Sequence, residues 1–198
     1  KQRVRSKADP FTLDDVKPLQ AKVFHLGSLL ADDFSPEVVE ALADKGTVSI
    51  DAQGYLREVV GEEVRPVEWK DMSRVLRATG ILKLNESEMQ TVVGSNDPYE
   101  VGKKLAACGV GEVVMTLGSY GSVIYAGGKA YDIPAYKPKK LVDATGCGDT
   151  FSTGYLWCRA QGMGIEEAGK FAAAMCSLKL QHSGPFDGTI ADIEQLIG

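Results

Sequence analysis

Short apolar runs alternate with helix-period segments along this chain, and that alternation predicts an α/β fold. Strand-type runs fall at Lys22–Leu26, Val48–Asp51, Ile81–Leu84 and Glu112–Leu117. Helical patterns lie between them, over Pro36–Asp44, around Trp69–Ala78 and over Asp97–Ala107. Ser35 and Pro36 read as a cap and first helical residue, and Gly46 as the stop of that helix. The turn Gly118–Gly121 leads into Ser122–Tyr125, and Gly127-Gly128 makes a hairpin into Lys129–Ile133. The last third reads as helix, over Gly148–Gln161, Ile165–Leu180 and near Ile190–Ile197. The prediction is one α/β domain over residues 1–198, with a mostly parallel sheet and helices on both faces. In such sheets the ligand crevice lies beyond the carboxyl ends of the strands. Asp51, Asn85 and Thr116 each stand at such an end.

The segment Asp143–Leu156, DATGCGDTFSTGYL, carries the clearest chemistry. Small residues surround one carboxylate, Asp149, where a loop meets a helix. A helix start offers unpaired N–H groups and partial positive charge, and glycines let an anion approach the backbone. An anion cradle beside a potential base is what phosphoryl transfer to a hydroxyl needs. A Gly-rich turn capped by an Asp satisfies the same residues without any chemistry.

This segment resembles the C-terminal signature of the ribokinase-like (PfkB) carbohydrate kinases. The resemblance implies a Rossmann-like three-layer sandwich. It implies that Asp149 takes the proton of the acceptor hydroxyl, and that the amides of Gly146, Cys147 and Gly148 form the anion hole. It implies ATP and Mg²⁺ as cofactors and a sugar or polyol as acceptor. Asn85 and Glu88, in LKLNESEM, match an Asn-x-x-Glu motif of the magnesium and phosphate network, with Glu88 acting on the metal through water. The same pair also reads as a capping box. Thr116, Gly118 and Gly121 match the family's nucleotide-binding strand and turn, a pattern that a plain strand-turn-strand also meets. Asp51, Gln53 and Arg57 stand near a phosphate- or substrate-contacting Asp…Arg motif, with Gln53 and the spacing to Arg57 departing from its commonest form. Asp143 and Thr145 match positions that bind a monovalent cation, usually K⁺, in several members, together with a loop near His182–Gly188. Ala172–Met175 and Ser177 could flank an adenine or simply pack a helix.

The resemblance runs from about Lys22 to the C-terminus and covers the nucleotide-binding and catalytic half of the family. The first βα units, an early Gly-Gly motif and the small β lid have no counterpart, although Lys1–Arg5 reads as a remnant of the last lid strand. That lid normally carries sugar contacts and a homodimer surface.

Composition narrows the partners. The net charge is −5 and no basic stripe is visible, so nucleic acid is not expected. No apolar run approaches membrane-spanning length, and the opening KQRVRSKADP lacks a signal-peptide core. The expectation is a cytoplasmic protein with reduced thiols. Four cysteines without CxxC spacing and two histidines make a zinc or iron–sulfur site improbable. Cys147, at a helix start, could carry a lowered pKa, although a small residue that fits the loop is the simpler reading. Nucleoside, inositol and hydroxymethylpyrimidine kinases of the same fold remain open as alternatives, as does a non-catalytic nucleotide-binding module.

Overall fold

The computed structural model describes residues 3–198. Its strands are β1 (Val23–Leu26), β2 (Thr47–Asp51), β3 (Arg57–Val60), β4 (Glu63–Pro66), β5 (Ile81–Asn85), β6 (Glu112–Thr116), β7 (Ser122–Ala126) and β8 (Lys129–Ile133). Its helices are α1 (Leu13–Val16), α2 (Pro36–Ala43), α3 (Ala52–Tyr55), α4 (Met72–Arg77), α5 (Glu86–Val93), α6 (Pro98–Ala107), α7 (Cys147–Ala160), α8 (Ile165–Lys179) and α9 (Ile190–Ile197).

Six strands form the main sheet in the order β1-β2-β5-β6-β7-β8. The first four are mutually parallel, and β7 and β8 add an antiparallel hairpin. Side chains alternate between the two faces of each strand, so each face collects its own core. On one face Ile50, Leu82, Leu84 and Met115 pack with Val39 of α2, Leu76 of α4 and Leu105 of α6. On the other, Ile81, Val114, Ile124 and Ile133 pack with Phe151 and Tyr155 of α7 and Ala172 of α8. The result is the three-layer α/β sandwich that the pattern predicted.

Two polar ties fix α7. Near its carboxyl end, Tyr155 Oη donates to Glu112 at 2.5 Å and Arg159 forks onto the same carboxylate at 2.5–3.2 Å. Glu112 opens β6, so this network pins the far end of the helix to the sheet and fixes where its N-terminus points. Small residues set its distance from α8: a β-carbon on Gly154 would stand 3.0 Å from Met175 Sδ and 3.2 Å from Ala172 Cα.

Three local expectations change. α2 does end near Asp44, but Gly46 is not in the left-handed region. It is glycine because a β-carbon there would lie 2.5 Å from the carbonyl oxygen of Ala21. α4 begins at Met72 rather than Trp69, because Asp71 takes φ 53° and Trp69 leaves the helical path to stack on Tyr55 at 4.6 Å. Finally, β3 and β4 form a separate antiparallel ribbon that the sequence reading passed over. Its two-residue connection is led by Gly61 at φ 65°. Arg3 bridges to Glu63, and Val4 N–H donates to Glu62 O at 2.8 Å. The segment read as a lid remnant therefore runs along this ribbon, with residues 1 and 2 outside the described part.

The ribbon is oriented by α3, and α3 by a close approach. A β-carbon on Gly54 would meet Ser28 Oγ at 2.2 Å and Ser28 O at 2.3 Å. Gly54→Ala should therefore destabilise the protein by about 1–3 kcal/mol through overpacking. Gly27→Ala is the control: its new β-carbon has nothing nearer than 3.7 Å, and a change within about 0.5 kcal/mol is expected. Urea midpoints measure both, and equal midpoints would contradict this contact.

Candidate active site

The period-two alternation of the strands lays the floor of the site. Phe24, Leu26, Val48, Ile50, Leu82 and Leu84 all point into the core on one face. Their neighbours His25, Ser49, Asp51 and Lys83 therefore point to the face that carries α7 and α8. Under the helices that face is apolar. Toward the carboxyl ends of β1, β2 and β5 it turns polar, where parallel strands are ordinarily apolar on both sides.

Lys83 is the centre of this floor. Its Nζ donates to Asp51 Oδ2 at 2.6 Å, and the two side chains are only 8% and 13% exposed. A charge so deeply placed is tolerated only when paired. Asp51 is also the cap of α3, its Oδ1 accepting from Gln53 N–H at 3.1 Å. One carboxylate thus holds the ammonium and starts the turn that leads to Arg57. His25 lies beside Ser49, with Nδ1 3.2 Å from Ser49 Oγ. Burial pushes its imidazole pKa down, against the raising effect of Asp51 and Asp149, which places it in the same electrostatic cluster.

The roof is the N-terminus of α7. Gly146 caps it at φ 77°, a conformation open to glycine at no steric cost. Gly148 follows in the first turn, and a β-carbon there would stand 3.2 Å from Lys83 Nζ. The ammonium therefore lies directly against the helix start, and a side chain at this position would press on it. Asp149, third in the helix, is exposed, and its carboxylate makes no hydrogen bond among the described residues. The amides divide. Cys147 N–H is committed to Ala144 O at 3.2 Å, whereas those of Gly146 and Gly148 have no partner among the described residues. Of the three amides expected in an anion hole, two are therefore free, with Lys83 beside them. The Cys147 thiol is not activated, because burial raises its pKa.

The wall is α5. Asn85 and Glu88 form a complete capping box. Asn85 Oδ1 accepts from Glu88 N–H at 3.0 Å, and Glu88 accepts from the backbone N–H and side-chain amide of Asn85 at 2.8 and 2.6 Å. The capping reading is realised, and it also aims the carboxyl. Glu88 is buried at 6% exposure, with no ion-pair partner among the described residues. Burial raises its pKa, with Asp51 adding to the rise. It lines a cleft of about 420 Å³ together with Gln53, Arg57, Arg65, Ser87 and Thr91, between α5 and the β3–β4 ribbon. An unneutralised carboxylate on such a cleft suits a hydrated Mg²⁺, which keeps most of its waters. Among the described residues no group of three or more His, Cys, Asp or Glu side chains forms a metal cluster.

Other expected residues separate from this centre. Thr116 ends β6 opposite Asn85, its Oγ1 3.4 Å from Leu84 O. Gly118 has φ 56° with open space around it, so it can face a ligand. Gly121 cannot: it is buried at φ 96°, and a β-carbon there would meet Ile133 O at 2.2 Å, so sheet packing requires this glycine. Ser177 is 2% exposed and presents no surface to an adenine, while Ala172 faces Gly154 in the α7–α8 contact. Asp143 Oδ1 accepts from Thr145 N–H at 2.9 Å, and Lys179 donates to Asp143 O at 3.0 Å.

Lys83 and His25 are the site residues that sequence reading missed. The signal for Lys83 was present: a lysine between two leucines in an otherwise apolar strand, alternating in phase with Ser49 and Asp51 of the strand before.

Comparison with known proteins identifies the family and the fold. A profile described as pfkB family carbohydrate kinase matches residues 5–191, and the chain belongs to that family. The match begins well before Lys22, where the sequence resemblance was first visible. A nucleoside kinase of Methanocaldococcus jannaschii is 28% identical over 124 residues, which is 63% of this chain and 40% of that protein. A ribokinase of Arabidopsis thaliana is 33% identical over 118 residues, 57% of this chain and 31% of that protein. The chain thus spans less than half the length of these relatives. Among solved structures, a pyrophosphate-dependent kinase of the ribokinase family, complexed with a pyrophosphate analogue and myo-inositol, superimposes with a TM-score of 0.86 at 29% identity. That match covers 98% of this chain and 69% of the other. Arabidopsis ribokinase complexed with ribose and ATP gives a TM-score of 0.74 at 24% identity, which supports the shared fold.

If Lys83 and Asp51 are one electrostatic unit, removing a single partner costs more than removing both. Lys83→Met strands a buried carboxylate and should cost about 3–5 kcal/mol, while Asp51→Leu with Lys83→Met should recover much of it. Urea unfolding checks this. A double mutant whose loss equals the sum of the single losses would contradict the pairing.

Proposed function

We propose that this chain is the catalytic portion of a kinase that transfers the γ-phosphate of ATP to a hydroxyl of a sugar or sugar-like polyol. The observation that carries the reading is the placement of an unengaged carboxylate, Asp149, on the same helix turn as two unpartnered amides, against which the buried Lys83 ammonium of β5 stands. The acceptor hydroxyl oxygen attacks the γ-phosphorus as its proton passes to Asp149. The bond from that phosphorus to the bridging oxygen breaks, and ADP leaves with the electron pair. The amides of Gly146 and Gly148, the positive end of α7 and Lys83 stabilise the charge on the transferring group. Mg²⁺, held through water near Glu88 and Asn85, would neutralise the donor phosphates. Asp51 keeps Lys83 in place, and the α5 capping box keeps Glu88 facing the cleft.

A second donor has support of its own. Arg57 and Arg65 both line the cleft beside Glu88, with Glu63 3.6 Å from the Arg65 guanidinium, and guanidinium groups suit compact phosphates. Together with the closed surface at Ser177, this favours pyrophosphate as an alternative to ATP. The similar pyrophosphate-dependent kinase bound to myo-inositol makes cyclic polyols the first acceptors to try.

The test is turnover with ATP or pyrophosphate over hexoses, pentoses, sugar acids, inositols and nucleosides, reading ADP or phosphate release. Asp149→Asn should lower turnover by about 10²–10⁴-fold, the usual worth of a positioned base, while leaving donor affinity in place. Turnover that is unchanged in the variant would overturn the base assignment. Donor binding without transfer to any acceptor would favour a nucleotide-binding module.

A further inference from the structure

The family resemblance attaches a monovalent cation to Asp143 and Thr145, but the residues present do not fit one, because an ammonium already stands there. Lys179, at the end of α8, has a side chain that is 1% exposed. Its Nζ donates to the Asp143 carbonyl at 3.0 Å and faces Asp143 Oδ2 at 3.6 Å. The other carboxylate oxygen is taken by Thr145 N–H at 2.9 Å.

Three further backbone oxygens of this loop also accept from protein donors. Ala144 O accepts from Cys147 N–H at 3.2 Å. Gly146 O accepts from Thr150 N–H and from Thr150 Oγ1, each at 2.9 Å. Cys147 O accepts from Cys176 Sγ at 3.2 Å. A hard cation binds through several free oxygens, and here the carbonyls of Asp143, Ala144, Gly146 and Cys147 already accept from protein donors. Two more bonds, from Val142 and Asp143 N–H to Leu180 O at 2.8 and 3.3 Å, fasten the same loop to the end of α8. Burying an ammonium is costly unless its charge is used and paired. Here it sits immediately behind the segment that supplies the Gly146 and Gly148 amides.

We infer that Lys179 is a tethered replacement for the monovalent cation, a positioning residue that holds the anion-hole loop from behind and makes the protein independent of added K⁺. The kinetic side of this inference rests on the proposed kinase reading, whereas its stability side does not.

The experiment compares the protein in choline chloride and in potassium chloride at equal ionic strength, by thermal unfolding and by turnover. A bound ion raises Tm by mass action, so a change below about 1 °C and less than about twofold in rate is expected for a protein that has no such site. Lys179→Met should lose about tenfold or more in kcat in choline, with little change in acceptor KM, because the amides lose their alignment. Ammonium or potassium ions should raise both its Tm and its rate. A wild-type protein whose Tm and rate climb with K⁺ would overturn the inference. So would a Lys179→Met protein that keeps its kcat in choline, or one that loses it with no response to any monovalent cation. If Lys179→Met does not fold, the wild-type salt comparison decides alone. If no acceptor is phosphorylated, the kinase reading fails separately, and the Tm comparison still decides whether a cation binds.

Discussion

One ammonium organises the site. Lys83 stands between the Asp51 carboxylate and the positive start of α7, in a place where a lone charge could not survive. Its pairing with Asp51 is satisfied, yet the face toward Gly148 juxtaposes two positive ends. That arrangement is electrostatically incomplete without an anion. In the proposed reaction a phosphoryl group completes it: the helix N-terminus, the unpartnered amides and the ammonium all gain when negative charge develops between them. On that reading, a lysine in a core strand and a glycine inside a helix's first turn serve the same requirement.

The rest of the fold keeps that juxtaposition rigid. The Glu112–Tyr155–Arg159 network fixes one end of α7, and the α7–α8 contact through Gly154 and Ala172 fixes its depth. Lys179 and the carbonyl of Leu180 hold the preceding loop. Asp51 serves the floor and the start of α3 at once, so the route to Arg57 and the β3–β4 ribbon is coupled to the position of Lys83. Sites that stabilise developing charge depend on such preorganisation more than on any one contact.

Much of this was legible in the sequence, for identifiable reasons. The strand and helix alternation, the Ser35–Pro36 start and the Asn85–Glu88 box are local signals, and each appears where its spacing placed it. The Asp143–Asp149 segment is legible as a loop-to-helix junction because its glycine and carboxylate positions are fixed within a few residues. Lys83 was not legible as a site residue, since its partners Asp51 and Gly148 lie 32 positions before and 65 after, and only the strand order and the course of α7 bring them together. Gly121 and Ser177 fit motif patterns, but their packing against Ile133 and within α8 cannot be read from spacing. The ribbon was passed over because its short strands are exposed on alternate positions and carry little apolar signal.

The central claim is that the amides at the start of α7 and Lys83 together receive the transferring phosphate. It is tested most directly by NMR of the isotopically labelled protein titrated with magnesium-ATP and, separately, with magnesium pyrophosphate. The largest changes should fall on the backbone amides of Gly146 and Gly148 and on the Lys83 ammonium. Saturable donor binding that leaves those three signals unmoved would contradict it.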